Sequence, residues 1–242
     1  MPAFLIHGVS ETHRLWTPLL GHLARRDIVA LDLPGFGSPV PAGFDASKEA
    51  YVDWLIARLE AASQPVDLVA HDWGCILALR VASLRPDLVR SFVAGGGVID
   101  PAYEWHPLAR IWQTPGEGEA YFARFDPAPV VERLTQDGVP PARAAETAAG
   151  VDRVMGGCIL RLYRSALEVG REWAPGLAHI TAPGLVLHGL RDRACPQAFA
   201  ERMAAAGAGF QPLDSGHWFP LHRPAEMAAA VQRHWAEHGL TG

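Results

Sequence analysis

Apolar residues are distributed along the chain in two alternating patterns. Short unbroken runs bounded by turn formers read as strands buried on both faces: Ala3-Phe4-Leu5-Ile6, Ile28-Val29-Ala30-Leu31, residues 66–70, Ser91-Phe92-Val93-Ala94, Gly184-Leu185-Val186-Leu187 and a weaker Gly209-Phe210-Gln211-Pro212-Leu213. Between them apolar side chains recur at helical spacing: Leu15, Trp16, Leu19, Leu20 and Leu23, then Tyr51, Val52, Leu55 and Leu59, and finally Met227, Val231 and Trp235 behind Pro224. Strands that alternate with helices predict an α/β fold with a mostly parallel sheet of about six strands, covered by helices, whose ligands bind beyond the carboxyl ends of the strands. Residues 98–175 break the alternation with Pro- and Gly-punctuated helical pieces, among them 140–149 and 158–170. They read as a helical cap inserted into a core made of residues 1–97 and 176–242.

Composition changes this picture mainly by exclusion. A chain of 242 residues, 49% of them hydrophobic, suffices for one large α/β domain. A formal net charge of -5 and scattered arginines give no basic field for a nucleic-acid backbone. No apolar run reaches the roughly 20 residues of a membrane span, and the first residues lack the basic start of a signal peptide. Cys75, Cys158 and Cys195 are odd in number and lack metal or redox spacing, so they read as reduced packing residues of a cytoplasmic protein. His234 and His238 share a helix face without a third ligand, so no metal is expected, and no motif asks for a cofactor.

Candidate chemistry centres on residues 66–79, which run from an apolar strand through His71-Asp72-Trp73-Gly74 into an apolar helix. Small Ala70 and Gly74 flank Asp72 at minus two and plus two, as a bend too tight for larger side chains requires. Such a bend aims the Trp73 N–H at the substrate and places a helix N-terminus under developing negative charge. Two further motifs lie just past strand ends, Leu187-His188-Gly189-Leu190-Arg191-Asp192 and Asp214-Ser215-Gly216-His217-Trp218. Nucleophile, acid and histidine, in that chain order, make a triad arrangement.

His71-Asp72-Trp73-Gly74 resembles the elbow of the Asp-nucleophile branch of the α/β-hydrolase superfamily, which contains epoxide hydrolases, haloalkane dehalogenases and fluoroacetate dehalogenases. His7-Gly8-Val9-Ser10-Glu11, ahead of Trp16 and the Asp32-Leu33-Pro34-Gly35-Phe36-Gly37 turn, is similar to the family's oxyanion loop, with Ser10 in place of a common proline. Ala70 replaces the elbow's first glycine, and the resemblance runs in order along nearly the whole chain, from the strand that the family usually numbers third. It implies the α/β-hydrolase fold, catalytic Asp72, Asp192 and His217, and an oxyanion hole made by the N–H groups of Val9 and Trp73.

A carboxylate, unlike a serine, is ionised at neutral pH without help from a base. Attack on an ester carbonyl would give a reactive anhydride, whereas attack on a saturated carbon gives an alkyl ester, a sensible intermediate. The expected reaction is therefore cofactor-free hydrolysis through an alkyl ester on Asp72, cleaved by water that His217 activates. Leu162-Tyr163-Arg164-Ser165 resembles the segment carrying the second of the two epoxide-binding tyrosines of epoxide hydrolases, while Leu108 stands at the place of the first. Tyr103, Trp105, His106 and Tyr121 are the side chains that could replace it. Against the dehalogenases, Trp73 supplies one halide donor but Val9 occupies the usual Asn position; against the fluoroacetate enzymes, Trp73 replaces an Arg, while Trp105, His106 and Tyr163 echo the halide cradle. Tyr163, Trp105 and His106 are thus the candidate substrate and leaving-group residues. Epoxide opening to a diol is expected ahead of carbon–halogen cleavage. The remaining alternatives are a non-catalytic small-ligand-binding protein of this fold and an esterase or lyase with an unusual Asp. The expected partner is a small apolar electrophile, not a nucleic acid or a membrane, and a homodimer is compatible with this reading.

Overall fold

The six apolar runs form one parallel sheet of order β2-β1-β3-β4-β5-β6 in the computed structural model, which describes residues 2–205 and 207–239. The strands are β1 (Ala3–Ile6), β2 (Ile28–Leu31), β3 (Val66–His71), β4 (Val89–Gly95), β5 (Gly184–Gly189) and β6 (Gly209–Leu213). Three of them outrun the apolar stretches that mark them, because His71 still pairs with Gly95 and Gly189 with Leu213. Side chains alternate across each strand, so Phe4, Ile6, Leu68, Ala70, Phe92 and Ala94 enter one buried cluster and Ala3, Leu5, Val69, Val93 and Leu187 another. Both faces are covered, which is why these strands read as unbroken apolar runs.

The helices are α1 (Thr17–Leu20), α2 (Lys48–Glu60), α3 (Trp73–Leu84), α4 (Pro107–Gln113), α5 (Glu117–Ala123), α6 (Pro127–Gln136), α7 (Pro141–Ala149), α8 (Arg153–Ser165), α9 (Val169–Trp173), α10 (Gln197–Ala204), α11 (Phe219–His222) and α12 (Pro224–Glu237). The spacing from Leu15 to Leu23 is not one helix but a 3₁₀ turn, His13–Trp16, followed by the single turn α1, and Leu23 lies beyond it. The helical piece read at 158–170 also differs. It starts earlier because Asp152 caps α8 by accepting the Met155 N–H at 2.8 Å, and it breaks at Ala166 before α9 resumes.

Helices α4 to α9 all lie between β4 and β5. Trp112 of α4 and Met155, Cys158, Ile159, Leu162 and Tyr163 of α8 join the buried cluster on one sheet face, so this segment packs as an extension of the core. Lys48, at the start of α2, adds a polar tie: its ammonium donates to the Ser165 carbonyl at 2.9 Å and pairs with Glu172 at 2.9 Å. Among the described residues no helix is long and apolar enough to cross a membrane.

Candidate active site

The strand order reverses between β1 and β3, and the carboxyl ends of the strands there open the crevice in which parallel sheets bind ligands. Asp72 stands at that place, between the last residue of β3 and the first of α3, with φ 53° and ψ -124°. A non-glycine residue at positive φ is strained, and this turn is held by tight packing around it. Gly74 is obligatory: a Cβ there would run into the Ile6 carbonyl oxygen and come within 2.6 Å of that of His7. A Cβ on Gly8 would strike the Asp72 carboxyl itself.

The three residues expected to form the triad converge. His217 Nδ1–H donates to Asp192 Oδ2 at 2.8 Å, and His217 Nε2 lies 3.7 Å from Asp72 Oδ1. Asp192 is fixed in turn by the N–H groups of Ala194 at 2.8 Å and Cys195 at 2.9 Å, both donating to Oδ1. The Val9 N–H donates to Asp72 Oδ2 at 2.7 Å, and the Trp73 N–H also favours the charged form of this carboxyl. His7 orients the loop, with its Nδ1 against the Gly8 carbonyl at 2.8 Å and its Nε2 accepting from the Leu33 N–H at 3.1 Å. His71 holds the histidine loop from below, Nε2 donating to the His217 carbonyl at 2.8 Å.

Electrostatics divide the roles. Burial lowers His7 to about 4 and His71 to about 3, so both rings are neutral supports. Burial works against the His217 imidazolium too, but the Asp192 and Asp72 carboxylates outweigh it and hold its pKa up to about 9. Asp72 is pushed up by burial, and His217 with the two N–H groups pulls it back. Cys75, just past the elbow, is pushed by burial to about 12 and stays a thiol.

A folded-state pKa above the unfolded value of 6.5 stabilises the protein fully below pH 6.5, and that contribution is lost as pH rises through about 9. Urea unfolding at pH 6 and pH 9.5 should therefore show the stability gap between wild type and His217→Gln shrink with rising pH, by on the order of 2 kcal/mol. A constant gap would mean that the imidazolium is not held by its two carboxylates.

Over Asp72 lies a cavity of about 20 Å³, lined by Trp73, Ile76, Val98, Tyr103, Trp105, His106 and Tyr163 among others. The three residues read as substrate contacts, Tyr163, Trp105 and His106, all reach it. Tyr163 is buried, and burial first, the Asp72 charge second, push its hydroxyl well above 10. The Trp73 indole N–H lies beside that hydroxyl but forms no hydrogen bond of normal geometry. Trp105 stacks on Trp73 with ring centroids 5.9 Å apart. His106 accepts the Ala109 N–H at Nδ1, 3.2 Å, so its proton sits on Nε2.

Of the residues considered for the first tyrosine, Tyr103 lines the cavity, but its hydroxyl already donates to the Ala194 carbonyl at 2.7 Å. Tyr121 instead packs against Trp112, Phe122 and Phe125, and Leu108 is not among the lining residues. Glu11 was not singled out by its sequence context. It is 3% exposed and feels the charges of Asp72 and His217, and only its position two residues after Val9 hints at this.

The family model described as "Alpha/beta hydrolase family" matches residues 3–230. The chain is 30% identical to a haloalkane dehalogenase of Mycolicibacterium paratuberculosis over 95% of this chain and 82% of that protein. It is 25% identical to an (E)-2-((N-methylformamido)methylene)succinate hydrolase of Acinetobacter baylyi, with 98% and 90% covered. Epoxide hydrolase 3 of Mus musculus matches at 26%, covering 92% and 67%. Among solved structures, the haloalkane dehalogenase DbeA from Bradyrhizobium elkani superposes with a TM-score of 0.76 at 23% identity, over 98% of this chain and 91% of that one, a likeness of fold.

Proposed function

Because the chain belongs to the α/β-hydrolase family, in the branch of the haloalkane dehalogenases and epoxide hydrolases, we propose that it hydrolyses a small epoxide to a diol through an alkyl ester on Asp72. One observation carries the reading: the Tyr163 hydroxyl and the unpaired Trp73 indole N–H stand side by side in the same aromatic-lined cavity as the Asp72 carboxyl. An opened epoxide leaves as an alkoxide, which is far more basic than a halide and needs an O–H donor. Tyr163, its pKa well above 10, keeps its proton at enzymatic pH and supplies one. Residues 98–175 act as the cap that excludes bulk water from this step.

In the first step an Asp72 oxygen bonds to an epoxide carbon as that carbon's bond to the ring oxygen breaks. The freed oxygen takes a proton through Tyr163, which is reprotonated from solvent. Alkylation removes the Asp72 charge, one of the two that keep His217 protonated, so the imidazolium gives up its Nε2 proton to solvent, to be regained when the Asp72 carboxylate re-forms, and the neutral imidazole can serve as a base. Water then adds through its oxygen to Asp72 Cγ and gives one proton to His217 Nε2, with the oxyanion received by the Val9 and Trp73 N–H groups. Collapse breaks the bond from Cγ to the alkyl oxygen, which takes the proton back from His217 to complete the diol. The second water proton leaves as the Asp72 carboxyl ionises, balancing the proton taken up by the epoxide oxygen.

At about 20 Å³ the cavity has room for about one water, so the half-buried rings of Trp105 and His106 must move to admit even a small substrate. The buried, unpaired thiols of Cys75, Cys158 and Cys195 support a reducing, cytoplasmic setting.

Carbon–halogen cleavage is the second reading, favoured by the Trp73 N–H, since a halide needs donors but no proton, and by the 30% identity to a haloalkane dehalogenase. Parallel assays of diol formation and halide release, over panels of small epoxides and haloalkanes, separate the two. Tyr163→Phe should lower kcat/KM for diol formation by about 10²-fold and spare any halide release. Halide release alone in wild type, or diol formation indifferent to Tyr163→Phe, would remove the epoxide reading.

A further inference from the structure

Three hydrogen-bond donors from consecutive parts of the helical segment find no acceptor among the described residues. The first is the Arg133 guanidinium of α6. Arg110, Arg143 and Arg164 in the same segment are neutralised by Glu104, Glu146 and Glu119, whereas Arg133 has no such carboxylate. Asp137, one helical turn on and spaced to pair with it, turns instead to Gly216, its Cγ 3.3 Å from where a Cβ would stand. The second donor is the half-buried Tyr121 hydroxyl of α5. The third is His106, just before α4, whose Nε2 carries the proton because Nδ1 accepts the Ala109 N–H at 3.2 Å.

Packing brings the three to one side of the active site. Helix α6 lies on the loop that carries His217, since Leu134 is buried in one cluster with Trp218 and Leu221. From there the Arg133 charge reaches His217, His106 and Tyr121, which belong to three different elements. An aromatic row joins this place to the cavity over Asp72: the Trp112 ring centroid lies 4.9 Å from that of Tyr163 and 6.0 Å from that of Tyr121. His106 contacts Trp112 and Tyr163 at 6.3 Å and 6.5 Å and lines the cavity itself. Donors that carry a positive charge and face no acceptor suit an anion. A carboxylate fits them well, because its two oxygens match the guanidinium fork and keep lone pairs for a phenol and an imidazole N–H.

We propose that the substrate is an ω-epoxy carboxylate, its acid end held by Arg133, Tyr121 and His106 while its epoxide carbon lies against Asp72. This deepens the epoxide reading above and rests on it. The carbon chain between the two ends lies along the Trp112 and Tyr163 rings, apolar against apolar. The His106 ring, which has to move for any substrate to enter, gains an acceptor when the acid end arrives.

The test compares unbranched ω-epoxy acids, from butanoic to octanoic acid, with their primary amides, which match them in size but carry no charge. Wild type should prefer the acid at its best chain length by about tenfold in kcat/KM. The difference should lie in KM and not in kcat, because the carboxylate takes no part in the bond changes. Arg133→Gln should reduce the preference to about one, Arg133→Lys should keep part of it, and Tyr121→Phe should lower it about threefold. Equal kcat/KM for acid and amide at every length, or a preference undiminished in Arg133→Gln, overturns the proposal. Calorimetric binding of octanoate against octanamide reads the same site without any chemistry. If wild type opens no epoxide, yet binds octanoate about tenfold more tightly than octanamide and loses the difference in Arg133→Gln, the epoxide reading falls and the carboxylate site stands. If octanoate shows no advantage, the carboxylate site falls, whatever becomes of the epoxide reading.

Discussion

Replacing Asp72 by asparagine is expected to lower kcat by roughly 10⁴-fold or more, with kcat/KM falling in parallel. The substitution is nearly isosteric, and an amide oxygen can still accept the Val9 N–H that donates to Asp72 Oδ2 at 2.7 Å. Asparagine also tolerates the φ of 53° at this position better than most residues, so the elbow should keep its shape. What is lost is nucleophilicity: a neutral amide oxygen does not displace an epoxide oxygen or a halide. The charge of Asp72 also disappears from beside His217, so the imidazole should titrate lower than in wild type. Because a neighbouring imidazole can hydrolyse the amide back to a carboxylate, the elbow peptide is weighed before and after the assay. Undiminished turnover by protein whose amide is intact would show that Asp72 is not the attacking group.

Much of this site is legible in the sequence because its parts are backbone features. The six strands show themselves as unbroken apolar runs, since a parallel sheet buried on both faces leaves no polar alternation. Asp72 betrays itself through its neighbours: Gly74 is demanded by the approach of the Ile6 and His7 carbonyls. Asp192 and His217 are found because loops after β5 and β6 must emerge at the same sheet edge as the elbow. Side-chain direction is less legible. Tyr103 and Tyr121 are equivalent as letters, but one binds the Ala194 carbonyl at the cavity and the other packs among Trp112, Phe122 and Phe125. Helix ends between β4 and β5 fail for a related reason. The Asp152 cap advances α8 by five residues relative to the apolar stretch that marks it, and caps compete with periodicity in setting a boundary. Glu11 is hidden more deeply, since a carboxylate in a loop is ordinarily solvated, whereas this one is 3% exposed.

His217→Gln is expected to separate the two halves of the reaction. A carboxylate needs no base in order to attack, so alkylation of Asp72 should proceed within about tenfold of the wild-type rate. Hydrolysis of the ester does need one, and removing it should slow that step by roughly 10³-fold. Glutamine cannot take the proton from water, although its amide N–H could still face Asp192, which accepts from His217 Nδ1 at 2.8 Å. The ester should therefore accumulate to nearly one per protein, and its mass identifies the chemistry. An epoxide adds all of its atoms, because the leaving oxygen stays tethered to the alkyl group, whereas a haloalkane adds its mass less that of the hydrogen halide. Peptide mapping should place the adduct on Asp72. A wild-type reaction run in ¹⁸O-water over several turnovers should carry the label into the same carboxyl, because water attacks Cγ and not the alkyl carbon. Label confined to the product, with no adduct in His217→Gln, would mean that water attacks the substrate directly, with Asp72 and His217 acting as bases.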